Sequence, residues 1–112
     1  MKNSREVEAL VRAELTKISD QEVLEALTPL LVLPYRVDRK WDYGPDGQTH
    51  PCWTVLEHRE SNTGIAYCEN GFGPKVPWGL VFLSGDYMSI GMDCNWFPSL
   101  EDAFRDSMAW DE

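Results

Sequence analysis

The sequence predicts a single α+β domain spanning residues 1–112, with an N-terminal helical hairpin, a four- to five-stranded antiparallel meander and a short C-terminal helix. Apolar residues recur at helical spacing near the N-terminus and alternate with charged residues from Tyr35 onward. The later apolar segments are separated by short turns, whereas parallel neighbours need longer crossover connections. A chain of 112 residues suits one hydrophobic core. These features favour helices packed on one face of an antiparallel sheet.

Two capping-box patterns mark the N-terminal helices. Asn3 followed by Glu6 predicts a first helix near residues 4–17, whose apolar residues lie at helical spacing. Ser19 followed by Glu22 predicts a second, shorter helix directly after the first. We therefore expect an α-helical hairpin with one apolar stripe that faces the core.

The hydrophobic period changes after Pro29, which ends the second helix. In the first predicted strand the side chains alternate, so that one face is largely aromatic and the other is charged. The predicted strands are residues 35–43, 51–59, 65–69, 78–83 and 88–92. Ser99 and Asp102 approximate a third capping pattern and predict the last short helix.

The negative charge of the chain is unevenly distributed. The net charge is −9, yet residues 1–40 contain seven basic and seven acidic residues. Residues 41–112 contain three basic and twelve acidic residues, so the whole imbalance lies there. An acidic surface repels phosphate backbones, so we expect no binding to nucleic acid. The same surface attracts a basic partner, although acidity also serves solubility alone.

Membrane and secretory segments are not expected in this sequence. The longest apolar run, LLVL, is far shorter than the roughly 20 residues that span a bilayer. The first residues contain acids throughout and lack the apolar core of a secretory signal. Three cysteines without a CxxC pair suit thiols in a reducing compartment better than a disulfide framework. We therefore predict a cytoplasmic protein with no membrane partner.

The glycine-rich stretch GFGPKVPWG, residues 71–79, does not fit a phosphate-binding loop. Such loops need a Gly-Lys-Ser/Thr run that enters a helix, but Lys75 lies between Pro74 and Val76 and a predicted strand follows. The two prolines also remove amide donors that a phosphate would need. We interpret the stretch as a shaped connection or a recognition surface.

A metal site is not favoured by the spacing of the possible ligands. His50, Cys52 and His58 lie close in sequence, with Asp93 and Cys94 on a later segment. At about 3.3 Å per residue, His58 lies roughly 20 Å along the strand from Cys52, too far for one tetrahedral ion. We therefore predict no metal and no cofactor, and we interpret the cysteines as small core residues.

Catalysis is the alternative interpretation, and it depends on isolated carboxylates. Cys52 or Cys68 paired with His58 lacks a third catalytic member and an oxyanion-binding turn. Glu57, Glu69 and Asp93 lie in an aromatic-rich region, where a buried carboxylate has a raised pKa and transfers protons. A small-ligand-binding or enzymatic domain that uses one of these three acids in an aromatic pocket remains the alternative.

Aromatic residues accompany the excess acid. Twelve of the thirteen aromatic residues lie in residues 41–112, and three turns there mix aromatic, Gly/Pro and acidic residues. Aromatic anchors with a polar rim are typical of protein interfaces. We therefore predict a non-catalytic surface that binds a basic protein. The predicted partner-binding residues are Trp41, Asp42, Tyr43, Asp46, Glu57, Glu69, Phe72, Asp86, Asp93 and Trp96.

Residues 77–104, PWGLVFL…SIGMDCNWFPSLEDAF, resemble small bacterial immunity proteins of polymorphic toxin and contact-dependent inhibition systems. The rest of the chain resembles them in size and charge. Proteins of this type are short, acidic, cytoplasmic α+β domains that bind a toxin, often a basic nuclease, and block it. The resemblance implies an inhibitor, and not an enzyme, that occludes a basic toxin domain.

Overall fold

The α+β fold class is confirmed by a computed structural model that describes residues 3–40, 49–68, 76–83 and 96–110. The helices are α1 (Ser4–Lys17), α2 (Gln21–Leu27) and α3 (Leu100–Arg105). The strands are β1 (Leu31–Lys40), β2 (Thr49–His58), β3 (Thr63–Tyr67), β4 (Trp78–Phe82) and β5 (Trp96–Phe97). Short 3-10 turns at Thr28–Leu30 and Arg59–Ser61 follow α2 and β2.

The caps predicted for the first and last helices are confirmed. The Asn3 side chain accepts a hydrogen bond from the backbone N–H of Glu6 at 3.0 Å. Ser99 Oγ accepts the equivalent bond from the N–H of Asp102 at 3.1 Å. Each bond satisfies a backbone donor that has no partner inside its own helix. The predicted start of α1 is therefore correct to the residue.

The predicted cap of α2 is wrong by one position. Asp20, and not Ser19, is the N-cap, and its carboxylate accepts from the N–H of Glu22 at 3.0 Å. Because α2 begins at Gln21, Ser19 lies one residue outside the position from which a side chain reaches the first helical N–H groups. The cap is consequently an ionised side chain at the positive end of the helix dipole.

The five strands form one antiparallel meander in the order β1-β2-β3-β4-β5. β1 begins four residues before the predicted start, at Leu31, and its pairing with β2 is irregular between Leu31 and Tyr35. Pro34 lies in that irregular stretch, where a residue without an N–H is tolerated. The predicted strand at residues 88–92 lies outside the described residues, whereas β5 at Trp96–Phe97 was not predicted.

All three described helices pack on one face of the sheet. The main core combines helix residues with inward-facing strand residues, and every member is at most 8% exposed. It contains Val7, Val11, Ile18, Val23, Leu27, Val55, Leu56, Ile65, Tyr67, Trp78, Leu100, Ala103 and Phe104. Burying this apolar surface is the main stabilising contribution to the fold, at about 25 cal/mol per Å². The expected one-sided arrangement of helices is confirmed for the described residues.

A buried glutamate joins α1 to the start of α3. Glu14 is 8% exposed, and one of its carboxylate oxygens accepts from the backbone N–H of Leu100 at 2.9 Å. Its other oxygen accepts from Lys17 Nζ at 2.9 Å. A buried N–H needs an acceptor, and here a side chain from another helix supplies it. Glu14 therefore fixes where the chain turns into α3.

Arg39 shows that the sheet is strongly curled. Its side chain is 2% exposed, and Nη1 donates to the backbone oxygen of Phe82 in β4 at 3.2 Å. In a flat sheet β1 and β4 are roughly 14 Å apart, which is farther than an arginine side chain reaches. The sheet must therefore bend toward this face, as bulged and twisted sheets do. The alternating sequence pattern did not predict a buried arginine.

Candidate functional site

The two short helices α2 and α3 carry an acidic surface. We call it the acidic helix surface and define it by the acids of both helices and their caps. These are Asp20, Glu22, Glu25, Glu101, Asp102 and Asp106. Over the same two stretches, residues 20–28 and 99–106, Arg105 supplies the basic charge, so six acids face one base.

Arg105 bridges acids of the two helices at this surface. Its guanidinium lies 3.1 Å from Asp20 Oδ2 and 2.9 Å from Glu101 Oε2. The Arg105 bond, followed by the backbone bond from Glu22, holds the pKa of Asp20 below its usual value. Its bonds to Glu101 and then Asp20 raise the pKa of Arg105. The charge of Arg105 is thus shared between two acids that lie on different helices.

Four acids of the acidic helix surface have no ion-pair partner among the described residues: Glu22, Glu25, Asp102 and Asp106. All four are exposed. Their spacing places them on the solvent side, because the residues between them, such as Val23 and Ala103, are buried. The surface therefore presents uncompensated negative charge to solvent.

An apolar groove of about 240 Å³ lies beside this surface. It runs between β4 and the turn that follows α3. Its apolar walls include Phe82, which is 39% exposed, and Met108, which is 71% exposed. Exposed apolar side chains around a concave surface are typical of sites that receive a partner's side chain.

Polar groups form one edge of the groove. Asp106 and Ser107 line it from the end of α3, and Thr63 lines it from β3. Ser107 Oγ donates to the backbone oxygen of Phe104 at 2.6 Å and accepts from the N–H of Ala109 at 3.2 Å. These two bonds hold the turn that carries Met108. Asp106 belongs to both the groove and the acidic helix surface.

Glu57, a predicted partner-binding residue, is engaged by its own chain. Tyr35 Oη donates to Glu57 Oε2 at 2.6 Å, and Arg59 Nη2 donates to Oε1 at 3.0 Å. The side chain of Glu57 is only 13% exposed. The Tyr35 bond, and secondarily Arg59, holds the pKa of Glu57 below its usual value of 4.5. Its role in contacting a partner stays a prediction.

Replacing Tyr35 by phenylalanine tests this pairing through its pH dependence. Because the pKa of Glu57 is lowered in the folded state, the stability it supplies is present above pH 4.5 and is lost as the pH falls through the folded pKa. We expect Tyr35→Phe to cost at most about 1 kcal/mol at pH 7, since Tyr35 is partly solvent-screened. Urea unfolding at pH 7 and pH 3 measures the difference in unfolding free energy between the wild type and Tyr35→Phe. We expect this difference to be smaller at pH 3. An equal difference at both pH values would contradict the assignment.

Trp96, the other described member of the predicted partner-binding set, is a half-buried packing residue. It lies in β5 opposite Gly79 of β4, and its ring covers the place where a side chain at Gly79 would be. It packs against Cys52, Ala66, Cys68 and Val81 on the sheet face away from the helices. The remaining predicted residues, Trp41, Asp42, Tyr43, Asp46, Glu69, Phe72, Asp86 and Asp93, lie outside the described residues.

No protein-family model, curated protein or solved structure matches this chain.

The described residues lack two further kinds of site or segment. Residues 3–40, 49–68, 76–83 and 96–110 contain no group of three His, Cys, Asp or Glu side chains placed to hold a metal ion. No helix in those ranges has the length and apolar character needed to cross a membrane.

His58 shares a 2.7 Å hydrogen bond with Ser61, which in turn bonds Thr63 at 2.6 Å.

The acidic helix surface was missed by sequence reasoning, and the cause is physical. Residues 1–40 have balanced charge when counted along the chain. Their basic residues, however, lie on α1, on β1 and before α1, whereas α2 and its cap contain three acids and no base. A usable signal was present in the spacing of Glu22 with Glu25 and of Asp102 with Asp106, because residues three or four apart share a helix face.

Proposed function

We propose that the chain is a non-catalytic protein-binding module whose acidic helix surface contacts a positively charged protein. The observation that carries the proposal is the ratio of charges on α2 and α3. Six acids stand against Arg105, and four of them are exposed with no ion-pair partner among the described residues. Uncompensated acids on one surface steer a basic partner toward it and fix its orientation.

The apolar groove supplies the second part of the proposed contact. Charges at the rim of an interface mainly set the association rate, whereas buried apolar anchors slow dissociation. A lysine or arginine side chain of the partner fits both features. Its methylene stem lies against Phe82 and Met108, and its charged end lies near Asp106.

The specific form that we propose is an immunity-type inhibitor of a basic toxin domain such as a nuclease. Nucleases and other phosphate-backbone-binding proteins concentrate Lys and Arg at the surface that holds the nucleic acid. An acidic protein surface complements such a cleft and blocks it without any chemical step. The net charge of −9 and the small α+β fold agree with this role.

A pair of charge-reversal variants tests the proposed surface. Glu25→Lys/Asp106→Lys changes two exposed acids on the acidic helix surface, and Glu6→Lys/Asp38→Lys changes two acids on α1 and β1. Both double variants alter the net charge equally. We expect the first to slow association with an oligoarginine peptide by about tenfold or more at low ionic strength, and the second to have a much smaller effect. Stopped-flow or surface plasmon resonance measures both.

Salt dependence and a cellular readout complete this experiment. At about 1 M salt the Debye length is near 3 Å. The faster association of the wild type with the oligoarginine peptide is therefore expected to disappear. Equal effects of the two double variants would contradict a specific surface. For the inhibitor form, the protein encoded beside this chain's reading frame is expressed alone and with each variant. Growth rescue that is weaker for Glu25→Lys/Asp106→Lys than for the control supports the proposal, and no toxicity or equal rescue contradicts it.

A further inference from the structure

Two cysteines face each other across neighbouring strands. Trp53 pairs with Tyr67 and Thr54 with Ala66 in the antiparallel β2–β3 ladder. One step further along this register, Cys52 lies opposite Cys68. Both are fully buried, and they belong to the same apolar cluster on the sheet face away from the helices. Both are present as thiols.

The hydrogen-bond pattern identifies which kind of pair they form. The N–H of Cys68 donates to the backbone oxygen of Pro77 at 2.8 Å, so the polar backbone groups of Cys68 point toward the β4 side. In an antiparallel strand the N–H and C=O of one residue point the same way. Cys68 is therefore a non-hydrogen-bonded partner of Cys52. Such partners have Cα atoms about 4.5 Å apart and their side chains closest together.

We propose that Cys52 and Cys68 form a reversible disulfide that joins β2 to the end of β3 when the protein meets hydrogen peroxide. Disulfides span Cα separations of about 4.4–6.8 Å, and the non-hydrogen-bonded pair falls inside this range. Both side chains belong to one cluster on the same sheet face, so the two sulfur atoms lie on the same side of the ladder. Because both side chains are fully buried, a small oxidant is the one that we propose.

The reaction is balanced by peroxide alone. One cysteine thiolate attacks a peroxide oxygen, the O–O bond breaks, and a sulfenic acid and hydroxide form. The second thiolate then attacks the sulfenic sulfur, the S–O bond breaks, and hydroxide leaves as the S–S bond forms. Two thiols are oxidised, and the two hydroxide ions take up the two thiol protons to give two waters. Added dithiothreitol reverses the bond by thiol–disulfide exchange.

The disulfide closes a ring over residues 52–68 and is expected to stabilise the fold. Cross-linking a loop of about this length restricts the unfolded chain, and for a domain of this size the expected rise in Tm is about 10 °C. The cross-link joins β2 and β3, two neighbouring interior strands of the meander.

Peptide mapping of the full chain after peroxide treatment tests the assignment. Remaining thiols are alkylated, the protein is digested without reduction, and cross-linked peptides are identified by mass spectrometry. We expect a Cys52–Cys68 peptide, a higher Tm, and loss of both after dithiothreitol. A disulfide that involves Cys94 instead, or oxidation of Cys52 and Cys68 to sulfinic acids without a cross-link, would overturn the proposal.

Matched variants separate the pair from the third cysteine. Cys94→Ala is expected to keep both the cross-link and the rise in Tm, whereas Cys68→Ala is expected to lose both. Circular dichroism of each reduced variant checks that it is folded. Should Cys68→Ala fail to fold, the peptide map of Cys94→Ala alone decides, because Cys52 and Cys68 are then the remaining cysteines.

Discussion

Replacing Phe104 by alanine is expected to lower the free energy of unfolding by about 3–5 kcal/mol. Phe104 is fully buried in α3, and the centroid of its ring lies 5.8 Å from the ring centroid of Trp110. The truncation removes an aromatic ring from the place where α3 meets the sheet, and the six-residue helix is too short to be stable alone. Urea unfolding followed by tryptophan fluorescence measures the loss.

Met108→Ala is the control for this prediction. Met108 follows α3 by three residues and is 71% exposed, so its truncation is expected to change stability by no more than about 0.5 kcal/mol. A loss below about 1 kcal/mol for Phe104→Ala would contradict the position of α3 on the core. Met108→Ala also separates stability from binding, because Met108 lines the apolar groove that we propose receives a partner's side chain.

Gly64→Ala is expected to destabilise the sheet by about 3 kcal/mol, near the upper end of the usual cost of overpacking. A Cβ atom at this position would meet the backbone oxygen of Leu56, and Cδ2 of Leu83 at 2.8 Å. The obstacle at Leu56 is backbone, held by pairing with Ile65 next to the β2 irregularity. It therefore does not move aside without disrupting the ladder. Thermal unfolding of the variant measures the effect.

Gly79→Ala provides the comparison for Gly64→Ala. The three atoms nearest to a Cβ atom at Gly79 would be ring carbons of Trp96, at 2.7–2.8 Å. Trp96 belongs to the two-residue edge strand β5, so its side chain is able to shift at lower cost. We expect a smaller loss of stability than for Gly64→Ala, together with a change in tryptophan fluorescence. A larger loss for Gly79→Ala would show that the strand packing is described wrongly.

Local sequence patterns predicted most of the fold. Capping pairs located α1 and α3, because a side chain that accepts from a backbone N–H acts over three residues and needs no tertiary contact. An alternating pattern located β2, a short segment after a turn located β3, and a continuous apolar run located β4, each to within two residues at its ends. The meander order followed from the short connections between these strands. These features depend on residues that are close in sequence, so they can be predicted from the sequence alone.

Features that depend on tertiary contacts were not predictable in the same way. In the sequence, Arg39 is one of several charged residues in β1, and nothing marks it as buried. It becomes buried because the curl of the sheet brings its side chain to the Phe82 carbonyl. Glu14 looks like a helix-surface residue until α3 is placed against it. The two-residue strand β5 is too short to show a period. To predict each of these three features, one must know which segment, distant in sequence, lies next to the residue in the folded chain.

The candidate site illustrates the same difference for charge. Counting acids along the chain assigned the negative charge to the second part of the sequence, whereas the folded chain places α2 beside α3, where Arg105 pairs with Asp20. The acids of residues 20–25 therefore join those of residues 101–106. Glu57 shows the opposite case, since an acid predicted to contact a partner is held by Tyr35 and Arg59.

Mapping the contact surface by NMR tests the central claim most directly. The full chain, labelled with nitrogen-15, is titrated at low ionic strength with an oligoarginine peptide, and backbone amide shifts are followed. We expect the largest changes in residues 20–27 and 100–110, with reversal on addition of salt. Changes confined to α1 and the β1–β2 pair, or none at all at low salt, would show that the acidic helix surface does not bind a basic partner.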